Sequence, residues 1–86
     1  MKHATAASLD RLEPLLAEIR GFAWLKEKSR GVFYRGSRAT LHFHEDPLGL
    51  FADLRAEDWQ RFPVDTQAER EALLKALGQA KPGRGA

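Results

Sequence analysis

The sequence predicts an α+β fold, on three observations. Leucine stripes at helical spacing lie near both ends of the chain. Residues 32 to 64 alternate apolar and polar side chains, and Gly36-Ser37 and Asp46-Pro47-Leu48-Gly49 punctuate that stretch as tight turns. The expected order is α-β-β-β-β-α, an antiparallel meander of three to four strands with an N-terminal and a C-terminal helix packed on one face. One domain is expected over residues 10 to 78, between a flexible N-terminus at 1 to 9 and a flexible basic tail at 79 to 86.

The first helix is expected over 11 to 20. Asp10-Arg11-Leu12-Glu13 resembles a capping box with Asp10 as N-cap, which places Pro14 in or just past the first turn, where its missing N–H costs least. Leu12, Leu15, Leu16 and Ile19 form its apolar stripe, and Gly21 suits its C-terminal end. Residues 22 to 30, FAWLKEKSR, read equally as continuing helix or extended connection.

Gly36-Ser37 suits a type II′ hairpin turn. Pairing Arg35 with Arg38 puts Val32, Tyr34, Ala39, Leu41 and Phe43 on one face of the sheet. Phe33, Arg35, Arg38, Thr40, His42 and His44 fall on the other. Asp46 to Gly49 has type I turn preferences. Closing it sets Phe43 opposite Ala52, Leu41 opposite Leu54, His44 opposite Phe51 and His42 opposite Asp53. Ala56-Glu57-Asp58 reads as a turn, and WQRFPV as a short edge strand, since Pro63 cannot donate to a ladder. Thr66-Gln67-Ala68-Glu69 is a second capping box, opening a helix with Leu73, Leu74 and Leu77 on its apolar side.

Two helices cover only one face of such a sheet. The face they leave carries Phe33, Arg35, Arg38, His42, His44, Phe51, Asp53 and Arg55, and any binding function is expected there.

The chain has 86 residues, 43% of them hydrophobic and 30% charged, which suits a globular domain with a thin core. It has no cysteine, which removes disulfides, thiolate zinc sites and cysteine nucleophiles. No apolar run approaches the ~20 residues of a membrane span, and MKHATAAS lacks the apolar stretch of a signal peptide, so a cytoplasmic location is expected. The absence of asparagine, with nine arginines against five lysines, fits either a thermophilic source or a GC-rich genome. Net charge is +2. Residues 26 to 38 carry five basic side chains and one acidic, and residues 45 to 58 the reverse. This bipolar pattern suits self-association or internal pairing as well as an anionic partner.

TLHFHED, residues 40 to 46, holds two of the three histidines. At i and i+2 on one strand, His42 and His44 project the same way, and with Asp53 or Asp46 as an oxygen ligand they could hold a transition metal. The same His42 and Asp53 form either a general-base dyad or a cross-strand pair contributing up to ~1 kcal/mol. Only Thr40 and Ser37 offer hydroxyls nearby, and no catalytic residue is assigned. Aromatic rings beside arginines on an open sheet, here Phe33 and Phe51 with Arg35, Arg38 and Arg55, are the physical basis of single-stranded nucleic-acid platforms. Trp24 and Trp59 are expected as core edges or interface anchors.

The stretch GVFYRGSRATLHFHEDPLGLFADLR with WQRFPVDTQAEREALLKAL resembles a family of short uncharacterised bacterial proteins that carry LHFHED-type and GLFADLR-type strands. The resemblance covers residues 12 to 77 and implies a shared fold, with no established activity. The order of elements is also similar in layout to MmcQ/YjbR-like proteins, for which DNA binding has been suggested. It is similar too to HicA-like ribonuclease toxins, whose strand histidine follows Gly-Ser directly, where this chain has Arg38. His-x-His-x-Asp resembles the motif of metallo-β-lactamase-like enzymes, but Pro47 stands where they have a further histidine.

The function expected from the sequence is a non-catalytic, homodimeric interaction module of the bacterial cytoplasm, without a cofactor. Nucleic-acid binding through the open face and the basic segment 26 to 38 is the alternative. A metal or hydrolytic site at His42, His44 and Asp53 is third.

Overall fold

A computed structural model describes residues 2 to 80. The chain runs β1 (Lys2–His3), α1 (Ala6–Ile19), β2 (Lys26–Ser29), β3 (Val32–Arg35), β4 (Arg38–Asp46), β5 (Gly49–Arg55), β6 (Trp59–Pro63) and α2 (Gln67–Ala80). The class is α+β, as the patterning predicts. Five strands form an antiparallel meander in the order β2-β3-β4-β5-β6, and β1 pairs with β4 beyond the end of β3. The sheet is therefore wider than the expected three to four strands. Residues 22 to 30 resolve as turns leading into β2, and Lys2 to Leu9, expected outside the domain, supply β1 and the start of α1. Of the expected tail, Gln79 and Ala80 finish α2, and 81 to 86 lie outside the described residues.

Helix α1 begins five residues earlier than the capping-box reading. Thr5 is its N-cap, accepting from the Ser8 N–H at 3.3 Å, and Pro14 lies inside it. An interior proline removes the bond to the carbonyl four residues back. What outweighs that cost is a buried stripe of Ser8, Leu12, Leu15, Leu16 and Ile19 that runs the length of the helix. Asp10 and Glu13, freed from capping, instead accept from Arg30 at 2.8 Å each. The capping box of α2 forms as expected: Glu69 N–H donates to Thr66 Oγ1 at 3.1 Å, and Thr66 N–H to Glu69 Oε1 at 2.9 Å.

The β4–β5 hairpin has the predicted register in every pair, including His42 with Asp53 and His44 with Phe51. Asp46 Oδ1 accepts from Leu48 N–H at 2.8 Å in the turn. Gly49 has φ 143°, and a Cβ there would collide with the Asp65 carboxylate that accepts from Leu50 N–H. Both features select the Asp and Gly of this turn.

The β3–β4 pair departs from expectation. Gly36 has φ 62° and Arg35 pairs with Arg38, but a bulge follows, so that Phe33 pairs with Leu41 and Val32 with His42. That one-residue shift carries Phe33 from the expected open face into the core, where it is 1% exposed. The bulge thus buries the largest apolar side chain of β3. Phe33 joins Leu12, Leu16 and Ile19 of α1, Leu73 and Leu77 of α2, and Leu41, Phe43, Ala52 and Leu54 of the sheet in one cluster. Both helices pack on that face, which leaves the histidine-bearing face without a helix among the described residues.

Candidate metal centre

Strand β4 alternates Leu41 and Phe43 into the core with His42 and His44 outward. Strand β1 then sets His3 directly opposite His44. Its seat is held by Ala4 N–H donating to Phe43 O at 3.1 Å and by Thr5 N–H donating to Glu45 Oε1 at 2.7 Å. The α1 cap that begins at Thr5 and the docking of β1 are therefore one local structure.

Three imidazoles meet as a result. Ring centroids are 4.5 Å apart for His42 and His44, 5.1 Å for His3 and His44, and 5.8 Å for His3 and His42. One nitrogen from each ring lies within 4.8 Å of the others. Nitrogens sharing one tetrahedral ion at ~2.1 Å stand roughly 3.4 Å apart, so binding would draw the rings together, with exposed His3 the freest of the three to turn.

The polar atoms of this cluster are underused. Nδ1 of His42 and both ring nitrogens of His44 are buried with no hydrogen-bond partner among the described residues. Each such atom costs about 1–3 kcal/mol. A bound cation would satisfy one nitrogen of each ring, and the other His44 nitrogen would need a second partner.

Asp53 stands beside the cluster and is already engaged. Arg61 Nε donates to its Oδ1 at 2.8 Å and Nη2 to its Oδ2 at 3.0 Å. The Arg61 guanidinium, more than any other influence, holds the Asp53 carboxyl below the usual carboxylate range. Asp53 Oδ2 also lies 3.2 Å from His44 Nε2, although the imidazole N–H is not aligned on it. Turning the ring slightly would give the carboxylate–histidine pairing that commonly orients a metal ligand, leaving Nδ1 of His44 for the ion. The third member of the grouping is His3 rather than the Asp53 expected from the sequence, and Asp53 stands beside it.

Burial, first, and the neighbouring His44, second, push the His42 imidazole below its ordinary value, against the pull of Asp53. His42 is consequently neutral near pH 7, the form that ligates metals. Trp59, across β6, meets the His42 ring edge-on at 4.9 Å, with the Arg55 guanidinium 5.7 Å from the indole centre.

Of the other residues expected on this face, Phe51 is half-buried opposite His44, and Arg35 and Arg38 are exposed at the far tip of the β3–β4 hairpin. Thr40 is buried, its hydroxyl donating to Arg38 O at 3.0 Å. The sequence reading missed His3, Arg61 and the role of Trp59. The last two follow from the turn at 56 to 58, which pairs Arg55 with Trp59 and Asp53 with Arg61. His3 follows from no local signal.

Comparison with known protein families, curated proteins and solved structures finds no match, so the site's own chemistry carries the functional reading.

Proposed function

We propose that the protein is a metal-binding domain in which His3, His42 and His44 hold one divalent transition-metal ion, with Asp53 and Arg61 orienting His44. The observation that carries this reading is the convergence of three imidazoles, two of which, His42 and His44, have buried nitrogens without a hydrogen-bond partner among the described residues. An all-nitrogen set without thiolate suits Zn²⁺, Cu²⁺, Ni²⁺ or Co²⁺ and does not suit Ca²⁺ or Mg²⁺. The test is native mass spectrometry of protein purified without a histidine tag or chelator, then loaded with Zn²⁺. One ion per chain is expected, reduced to none in His44→Ala. A wild-type chain that stays metal-free sinks the reading.

A homodimer through the same face is a second reading, favoured by Trp59, 46% exposed on the edge strand β6. Exposed tryptophans are common interface anchors. The solution mass of Trp59→Ser against wild type checks it: a monomer in both removes it. Nucleic-acid binding loses one of its two stacking rings with Phe33 in the core. No helix among the described residues is long and apolar enough to cross a membrane, and a place in the bacterial cytoplasm belongs to the same proposal.

A further inference from the structure

The charges around the three histidines suggest what the ion would hold. The groups whose charges act on His42 are His44, Asp53, His3 and Arg61. Asp53 is the one carboxylate among them, and Arg61 already neutralises it through two bonds. Asp46, two residues beyond His44 on the same strand, stands outside the histidine grouping, turns one oxygen into the Pro47 turn and acts on Arg61 through its charge. Three neutral imidazoles around a dication bring it no negative charge, and the two flanking carboxylates, Asp53 and Asp46, share Arg61, so part of its double positive charge stays uncompensated. Three ligands also leave a tetrahedral ion one open position, as in metal sites that bind a water or substrate rather than closing on protein alone.

The surroundings favour an anion at that position. Arg61 is half exposed, and its third nitrogen, Nη1, has no hydrogen-bond partner among the described residues. Through Asp53 it lies one carboxylate away from His44. Trp59 carries a second guanidinium, that of Arg55, on its face.

We infer that the open coordination position takes a small oxyanion, the carboxylate or phosphate group of a ligand, gripped jointly by the ion and Arg61. This rests on the three-histidine site. Carboxylate and phosphate share the required chemistry, a delocalised oxyanion that can put one oxygen on the ion and another on a guanidinium. Ligand exchange at the metal is the only step involved, with water leaving as the oxyanion enters.

Cobalt loading separates the two layers, because the visible spectrum of Co²⁺ reports its coordination sphere. The protein is loaded with Co²⁺ in Hepes buffer and titrated in parallel with inorganic phosphate and with acetate. A saturable change in the visible bands is expected, and the tighter of the two probes identifies which oxyanion the site prefers. In Arg61→Gln, affinity for the preferred probe falls about tenfold, as expected for one charge-assisted hydrogen bond. Stoichiometric cobalt whose spectrum neither probe alters overturns the oxyanion inference and leaves the metal site standing. Failure to bind cobalt overturns both. Unchanged probe affinity in Arg61→Gln, with cobalt bound, removes Arg61 from the grip.

Discussion

His3 lies directly across from His44 in the β1–β4 ladder, with ring centroids 5.1 Å apart and planes inclined by 25°. This pairing ties the first residues of the chain to the middle of the sheet, and it converts a His-x-His strand into a three-imidazole cluster. Since His3 is exposed and β1 is only two residues long, its imidazole contributes little to the core. His3→Ala is therefore expected to leave the metal-free fold and its melting temperature unchanged while lowering Zn²⁺ affinity by at least about 100-fold, more than loss of an outer-shell partner costs. Competition against a chromophoric chelator measures it. Zinc affinity equal to wild type would show that His3 is not a ligand.

Metal and fold should be linked through the same strand. An ion that binds only the folded chain stabilises it by about 2.7 kcal/mol at a free concentration 100 times its dissociation constant. For a domain this small that raises the melting temperature by roughly 10–20 °C. Calorimetry with and without Zn²⁺ checks the rise, and excess chelator should reverse it. Amide exchange should slow most at Ala4 and Thr5, whose N–H groups hold β1 and the α1 cap to β4. A melting temperature indifferent to Zn²⁺ contradicts the linkage.

Asp53 is predicted to matter more to the ion than to the fold. Its partner Arg61 is half exposed, so solvent screens the pair. Asp53→Asn keeps the shape but gives up the charge that orients His44, and an expected loss of about 10–100-fold in Zn²⁺ affinity follows. The same substitution should remove a stability contribution that is present above the ordinary carboxylate range and lost as pH falls through the lowered value of Asp53. Isothermal titration of the variant with Zn²⁺ and acid melts of both proteins separate the two effects. Wild-type zinc affinity in the variant excludes the orienting role.

Acid should loosen the metal-free protein through the histidines. His42 has a lowered proton affinity in the fold, so the unfolded chain takes up its proton first as pH falls. Its contribution is thus fully present above the unfolded value of about 6.5, declines as pH drops below that, and is lost once pH passes the lower folded value. The groups facing it are His3 on β1, His44 on its own strand, and Asp53 and Arg61 on β5 and β6. Protonated imidazoles at these separations repel one another, and Asp53 offsets only part of that. Denaturant midpoints measured from pH 8 to pH 5 should fall, and in His42→Gln the decline should be shallower. Equal slopes in the two proteins rule out the His42 contribution.

Most of the sheet was legible in the sequence, because its register is written in alternation and turn chemistry. Pro47 and Gly49 fixed the β4–β5 pairing, and with it the opposition of His42 and Asp53. The same logic, continued through the turn at 56 to 58, reaches Arg61. Two features were hidden for different reasons. His3 sits in a two-residue strand too short to have a period, and only the tertiary seat beside Phe43 and Glu45 orders it. The early start of α1 was masked by Pro14, whose local cost is outweighed by a buried stripe four residues longer than the capping box implied.

The bulge in β3–β4 is the third hidden feature, and it can be tested directly. A regular ladder would leave Phe33 on the histidine face, whereas one extra residue in β4 sends it among the leucines of α1 and α2. The two placements predict opposite costs. Removing a ring from a buried site costs about 3–5 kcal/mol, a large share of the 5–15 kcal/mol of an ordinary domain. Removing one from an open face costs little. Phe33→Ala is accordingly expected to unfold the protein or lower its denaturant midpoint severely. Phe33→Leu, which keeps most of the volume, should fold with a loss of roughly 1 kcal/mol and bind Zn²⁺ like wild type. Phe51→Leu, on the histidine face and half-buried, serves as the comparison and should cost less than Phe33→Leu. Chemical denaturation of the two leucine variants decides the matter. If Phe33→Leu proves neutral and Phe51→Leu costly, the ladder is regular, Phe33 stands beside His42, and the face that holds the three histidines has a different set of neighbours.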